Sequence, residues 1–345
     1  MERLDSPAEM DYLEQEQLST VEFEAAQSSN AGMFEYLIER FGEPFLRIRL
    51  QKQIRHADKV FDRGRRLLHI ENSEWIMVIL YWILRLTGLY NWGNRNLLDI
   101  QTVENEVFID NLPAAFDGYR ILQLSDLHLD IDTNLKHAVA EAVKNVEYDL
   151  AVNTGDYRAS TGGSYQMAVD ETIAFMPILK KPVYCVLGNH DFVEFVKPLE
   201  DEAGMTFLIN ESIPIEKDGD VIWLTGVDDP HLYQLDDFQG AYENVPQGAV
   251  KILLSHAPEN YKSAAEYDVD FMLAGHTHGG QICLPGRIPI LVYGDQPRRM
   301  INGAWTYGNK LQGYTSPGTG GCGVPVRYFC PPEITIHTLR CGPKK

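Results

Sequence analysis

Five short runs of this chain carry residue types that could hold and use a metal ion. In order they are Asp126-Leu127-His128, Gly155-Asp156, Gly188-Asn189-His190-Asp191, Ser255-His256 and Gly275-His276-Thr277-His278-Gly279. An Asp-x-His or His-x-His spacing puts both side chains on one face of an extended segment, because side chains alternate with period two. Gly155, Gly188 and Gly275 leave room for tight turns beside them. Taken singly, an Asp after a strand is an ordinary turn or cap residue, and a lone His is an ordinary core or surface histidine. Five such groups in succession, each just past an apolar run, form a distributed signal. Imidazole, carboxylate and a neutral amide, without thiolate, suit borderline to hard cations such as Mn²⁺, Fe²⁺ or Zn²⁺ rather than Cu(I).

The apolar runs that must position these groups read as strands. They are Arg120–Leu124, Asp149–Asn153, Pro182–Leu187, Lys251–Leu254 and Phe271–Leu273, and further strands are expected at Val107–Ile109, Thr206–Ile209, Val221–Thr225 and Glu333–Leu339. A helix stripe runs through Leu135, Val139, Val143 and Val146, residues 164–180 and 194–203 read as helical, and Lys217-Asp218-Gly219-Asp220 reads as a hairpin turn. Alternating strands and helices predict an α/β body. Ligands collect at the carboxyl ends of strands in such sheets, which is where all five groups fall.

The pattern D-x-H, G-D, G-N-H-D, H and G-H-x-H resembles the calcineurin-like metallophosphoesterase superfamily over roughly residues 118–341. Leu124–Leu129, Gly226-Val227-Asp228-Asp229-Pro230, Gly275–Ile282 and Gly323–Ile334 look most like its bacterial phosphodiesterase group. Some members of that group act on cell-envelope lipid precursors, among them a membrane-associated UDP-diacylglucosamine pyrophosphohydrolase. The resemblance implies a four-layer αββα sandwich and two divalent metal ions bridged by Asp156. Asp126, His128 and His278 would complete one ion's ligands, and Asn189, His256 and His276 the other's. His190 would act as hydrogen-bond donor or general acid, with Asp191 holding its imidazole. Two dications roughly 3.5–4 Å apart need a bridging carboxylate, and together they clamp the attacking and leaving oxygens of an in-line displacement. Arg158 and His231 are weaker candidates for substrate contact; an exposed loop arginine and a turn residue are the plainer readings. Asp156-Tyr157 is followed by Arg158-Ala159-Ser160-Thr161, which lacks the Val-Asp-Arg-Gly expected of a protein Ser/Thr phosphatase. The expected reaction is hydrolysis of a phosphodiester or pyrophosphate on a phosphorylated small molecule or lipid-linked substrate. A soluble nucleotide phosphodiesterase and a non-catalytic metal-bound scaffold are the alternatives.

The chain has 345 residues, with 49 Asp and Glu against 30 Lys and Arg, a net charge of -19. That excess disfavours a sequence-independent nucleic-acid binder. Charge is nevertheless segregated. Residues 1–32 read as an acidic flexible tail, and 33–99 as a basic amphipathic helical module, with residues 100–345 forming the catalytic domain. The module has an apolar stripe at Phe34, Leu37, Ile38 and Phe41, and basic residues from Arg40 through Arg47, Arg49, Lys52, Arg55, Lys59, Arg63 and Arg65 to Arg66. The apolar run Trp75–Leu84 is about half the roughly 20 residues that a membrane span needs. Trp75, Trp82 and Trp92, with the arginines, suggest an interfacial anchor on an anionic membrane through residues 33–92; a helical subdomain packed on the body is the competing expectation. No leader pattern opens the chain, so a cytoplasmic location is expected, peripheral on the inner face of the cytoplasmic membrane if the anchor reading holds. The five cysteines show no CxxC spacing and read as reduced core thiols.

Overall fold

A computed structural model describes residues 31–61, 74–161 and 164–342. The expected acidic tail lies outside the described residues, as do Arg63, Arg65, Arg66 and the side chains of Lys59 and Trp75. The described residues fall into two compact units, one formed by helices α1 and α2 with residues 192–197, the other by the rest.

In the smaller unit, α1 (Ala31–Phe41) buries Phe34 and Leu37. Gly42, at φ 80°, turns the chain into α2 (Glu43–Phe61), where Pro44 stands in the first turn and sacrifices no helical hydrogen bond. Leu46 and Leu50 are buried, and Gln53 grips residues 192–197 with both ends of its amide: Oε1 accepts from Val193 N and Nε2 donates to Glu194, each at 2.9 Å. Arg49 is fully buried, so α2 is not the uniformly solvated basic face that its composition suggests.

The larger unit opens with α3 (Glu74–Leu86) and α4 (Leu89–Leu98). It continues through β1 (Gln101–Ile109), β2 (Arg120–Leu124), α5 (Leu135–Val143), β3 (Leu150–Asn153), α6 (Gln166–Phe175), β4 (Val183–Cys185), α7 (Val196–Ala203), β5 (Thr206–Phe207), β6 (Glu211–Lys217) and β7 (Asp220–Gly226). Then come α8 (Phe238–Tyr242), β8 (Lys251–Leu254), α9 (Tyr261–Glu266), β9 (Phe271–Ala274), β10 (Cys283–Leu284), β11 (Ile288–Pro289), β12 (Gly303–Tyr307), β13 (Leu311–Thr315) and β14 (Glu333–Cys341). One six-stranded sheet has the order β1-β14-β2-β3-β4-β5 and the other β12-β13-β9-β8-β7-β6. Strands β2 to β5 run parallel, as do β7, β8, β9 and β13.

The sheets pack face to face. Ile121, Val152 and Val186 of the first share a core with Leu224, Ile252, Leu254 and Leu273 of the second. The outer face of the second sheet is covered by Phe238 and Tyr242 of α8 and Ala264 of α9, lying on Leu253 and Met272. Strands β3 and β9 are buried at every position, as strands covered on both faces must be. Helices α5 and α6, each with a buried apolar face, are the crossovers between the parallel neighbours of the first sheet. This is the expected α/β sandwich. The Gly- and Pro-rich last seventy residues hold more strand than their composition suggests, because β12 and β13 pair across a tight turn. Gly313 faces Trp305 there, and the indole occupies the space a Cβ would need.

Helices α3 and α4 pack on this unit by one face only. Leu84, with Met77, Leu80, Tyr81 and Tyr90, clusters with Val324, Val326 and Tyr328. The opposite face presents Val78, Ile79, Trp82, Ile83 and Leu86 to solvent, with Leu86 83% and Trp82 58% exposed. Among the described residues, no helix is long and apolar enough to cross a membrane.

Candidate metal centre

The five sequence groups meet at the carboxyl ends of five strands. Asp126 and His128 follow β2, Asp156 follows β3, Asn189, His190 and Asp191 follow β4, His256 follows β8, and His276 and His278 follow β9. Asp126 (φ 49°), His128 (41°), Asp156 (59°), His276 (69°) and His278 (49°) all hold left-handed backbone, which costs roughly 1–2 kcal/mol per non-glycine residue. Five such residues in one cluster trade stability for the direction in which their side chains point. The adjoining glycines are there for space: a Cβ on Gly188 would collide with the Asp156 carboxylate, and one on Gly275 with Ser125 Oγ.

Hydrogen bonds on the far sides of the imidazoles fix what the near sides offer. His128 Nδ1 lies 2.5 Å from the Arg158 carbonyl and His256 Nδ1 2.8 Å from that of Thr154. A carbonyl only accepts, so both Nδ1 atoms carry hydrogen, and in the neutral rings both Nε2 lone pairs face inward. His256 Nε2 stands 2.9 Å from Asn189 Oδ1 and 3.3 Å from Asp156 Oδ2, and Asn189 Oδ1 is also 2.8 Å from His276 Nδ1. On the other side, His128 Nε2 and His278 Nε2 are 3.3 Å apart, with Asp126 Oδ1 3.4 Å from His278 Nε2 and Asp156 Oδ2 3.8 Å from His128 Nε2. Nitrogen and oxygen ligand atoms converge in both halves, buried carboxylates among them, an arrangement that a cation or a proton stabilises. The donor set therefore fits divalent cations, with Asp156 between the two halves.

The ionisation of these groups follows the same logic. Burial lowers His128, and holds His276 and His278 well below the ordinary histidine value. Burial also opposes charge on His256, but the Asp156 carboxylate beside it wins and pushes it up to about 10. Burial likewise opposes charge on Asp156, yet the imidazoles of His256, His190 and His128 hold it well below the usual carboxylate range. In the metal-free chain, a proton on His256 supplies the positive charge that the geometry asks for.

His190 is the most accessible of the group, its side chain 13% exposed and its Nε2 3.9 Å from Asp156 Oδ2. Asp191 is fully buried. Its carboxylate accepts from the backbone N–H groups of Asp156 (2.8 Å), Gly188 (2.8 Å) and Tyr157 (2.9 Å), tying the loops after β3 and β4 together. Burial and the neighbouring Asp156 push it up to about 7. Arg158 is fully buried rather than an exposed loop residue, and its carbonyl sets the His128 tautomer. His231 lies beside the centre, its ring centroid 4.2 Å from that of His276.

Three residues near the centre were not singled out from the sequence. Glu259 holds His231 Nδ1 at 3.0 Å, and although burial opposes its charge, that bond keeps its pKa below the ordinary value. Arg327, fully buried, donates to the carbonyls of Pro317 (2.7 Å), Gly320 (2.6 Å) and His278 (3.3 Å). Cys322 Sγ is 3.9 Å from His190 Nε2, so the expectation that every cysteine is a core thiol fails there; Cys341 is exposed as well. No disulfide forms. Arg327 sits in the quoted run Gly323–Ile334, which was the one signal for it; Glu259 and Cys322 had none.

Residues 119–280 match the family model described as calcineurin-like phosphoesterase. The chain is 31% identical over 272 residues to the uncharacterized metallophosphoesterase YkuE of Bacillus subtilis (strain 168), an alignment covering 74% of this chain and 92% of that protein. It is 29% identical over 278 residues to the uncharacterized metallophosphoesterase YkoQ of the same organism, covering 76% and 99%. It is 27% identical over 282 residues to a transmembrane protein with metallophosphoesterase domain from Danio rerio, covering 77% of this chain and 62% of that one.

Proposed function

The chain belongs to the calcineurin-like metallophosphoesterases, metal-dependent phosphoesterases, and from that premise we propose that it hydrolyses a phosphodiester or pyrophosphate at a two-ion centre, on a lipid-linked substrate at an anionic membrane surface. The observation that supports the metal-dependent part is the convergence of ligand atoms in a buried site, His256 Nε2 standing 2.9 Å from Asn189 Oδ1 and 3.3 Å from Asp156 Oδ2.

Asp156 would serve both cations; Asp126, His128 and His278 would hold one, and Asn189, His256 and His276 the other. When bound, divalent cations polarise the phosphoryl group and supply a water deprotonated near neutral pH as nucleophile. His190, open to solvent and 3.9 Å from the bridging carboxylate, donates to the departing oxygen as charge develops on it. Asp191 holds the loop that presents His190. His231, kept in one orientation by Glu259, is the substrate contact we favour over Arg158, whose side chain is wholly buried.

The preference for a diester or pyrophosphate rests on family resemblance. The membrane placement rests on the outward apolar face of α3 and on Trp92, 41% exposed and packed edge-on against Phe329. Hydrolysis of bis(p-nitrophenyl) phosphate with Mn²⁺ tests the reaction, with Asp156→Asn and His190→Ala measured beside the wild type. We expect both variants to lose at least about 100-fold in kcat. A wild type no faster than Asp156→Asn removes the enzymatic reading.

A further inference from the structure

Cys322 is the thiol that the fold brings to the centre. Its backbone is pinned from both sides by one side chain, since Cys322 N donates to Gln281 Oε1 at 2.8 Å and Gln281 Nε2 donates back to the Cys322 carbonyl at 2.9 Å. That grip fixes the Cys322 backbone beside the centre. Sγ lies 3.9 Å from His190 Nε2 and 4.0 Å from the Ala159 carbonyl. The sulfur and one ring nitrogen each of His128 and His278 lie within 4.8 Å of one another. The Nε2 lone pair of His128, fixed by the Arg158 carbonyl behind the ring, is aimed into this same space, and His278 Nε2 enters it 3.3 Å away. Ligand atoms at roughly 2.3 Å (sulfur) and 2.0–2.1 Å (nitrogen) from one ion stand at most about 4.4 Å apart, close to the 4.8 Å within which these three atoms already lie.

The other cysteines are placed differently. Cys185, Cys283 and Cys330 are buried, and Cys341 ends β14. Cys330 Sγ approaches the carbonyls of His278 (3.4 Å) and Gly279 (3.5 Å), so it backs the His278 turn from the side away from its ring.

We propose that Cys322 is a sulfur ligand for the cation held by His128 and His278, giving that half of the centre a preference for a thiophilic divalent ion such as Zn²⁺ over Mn²⁺. This rests on reading the centre as a metal site. On binding, the S–H bond breaks, the proton leaves to solvent, and the sulfur electron pair is donated to the cation; no oxidation state changes. A mixed nitrogen, oxygen and sulfur set belongs to the softer side of the ligand scale, in contrast to the thiolate-free set legible in the five sequence runs.

The test uses the full chain, stripped of metal with a chelator and titrated with Co²⁺. Visible ligand-field bands report that cobalt is bound, and a near-ultraviolet band reports a thiolate bound to it. The wild type should show both. Cys322→Ser should keep the visible bands and lose the charge-transfer band, while Cys330→Ser keeps both. In competition with a chelating dye, Cys322→Ser should lose about 10- to 100-fold in Zn²⁺ affinity and leave Mn²⁺ affinity in place. Cobalt bound without a charge-transfer band in the wild type, or a band that survives in Cys322→Ser, overturns the assignment of Cys322 and leaves the metal centre standing. A wild type that takes up no cobalt sinks the metal centre itself, and this ligand with it.

Discussion

Asn96 in α4 donates its side-chain amide to the carbonyl of Arg327 at 2.9 Å, while the Arg327 guanidinium reaches the carbonyls of Gly320 and His278. The outward-facing helices and a turn that presents a candidate metal ligand are thus two hydrogen bonds apart. Gly93 makes the approach possible, because a Cβ there would collide with Tyr328 and Val326, and its own carbonyl accepts from Arg327 N at 2.9 Å.

Removing the guanidinium should therefore act on both stability and metal retention. Arg327→Met leaves buried carbonyls without donors, and we expect a loss of about 3 kcal/mol. Arg327→Lys, with a single ammonium that cannot span the same carbonyls, should fall between. Urea midpoints read the stability, and metal content after dialysis reads the turn. Wild-type values for both measurements in Arg327→Met would mean that the clamp does nothing.

Asp191 should matter first through backbone. Its carboxylate accepts three N–H groups from the loops that carry Asp156 and Asn189. Asp191→Asn puts an amide N–H₂ against at least one of those donors. A fall of about 10- to 100-fold in metal affinity is expected, the usual scale for groups that orient ligands. Equilibrium dialysis measures it. Full metal affinity with a depressed kcat would instead assign Asp191 to the orientation of His190.

The candidate ligands were legible because each sits just past an apolar run, and neighbouring parallel strands within each sheet, β2 to β4 and β8 to β9, bring their ends together; the packing of one sheet on the other supplies the rest. Lys217-Asp218-Gly219-Asp220 was equally local: Asp218 and Gly219 take positive φ and the hairpin closes there. What lies between distant segments was not legible. Cys322 reaches His190 across 132 residues of chain, and nothing in its own neighbourhood marks it. Arg158 looked like an exposed loop residue because a guanidinium normally is one; burial lowers its pKa, and the charges of Asp130 and Asp191 offset that only in three dimensions. The helical run Trp75–Leu84 suggested either an anchor or a packed subdomain, and the fold divides it by face: Leu84 is buried, while Trp82 is exposed.

Acid should destabilise the sandwich through His337. This residue is fully buried in β14, 3.0 Å from both Asn105 Nδ2 and Gln123 Oε1, and burial lowers its pKa to about 3. Unfolded, it takes up a proton near pH 6.5. Between those values the unfolded chain holds one more proton than the folded one, so stability is full above pH 6.5 and declines as pH falls toward 3. The slope from this group alone is about 1.4 kcal/mol per pH unit. Urea midpoints between pH 5 and 7 should fall with acid in the wild type and fall less steeply in His337→Gln, which keeps the buried His276 and His278; parallel profiles for the two proteins would assign the decline to other groups.

The outward face of α3 gives the membrane reading its sharpest test. Ile79, Trp82 and Ile83 are each more than half exposed, so charging them removes little packing beyond the Trp82 ring contact with Tyr81. Burying one such side chain in an interface contributes roughly 1.5–3 kcal/mol, and three glutamates would also face anionic headgroups. The variant Ile79→Glu, Trp82→Glu, Ile83→Glu should lose more than about 100-fold in partitioning to anionic vesicles. Its hydrolysis of a soluble diester should stay at the wild-type rate, because none of the three touches the centre. Vesicle flotation at low salt is the measurement. Failure of the wild type to float would leave α3 a structural helix with an apolar outer face, and the substrate would then be sought among soluble diesters.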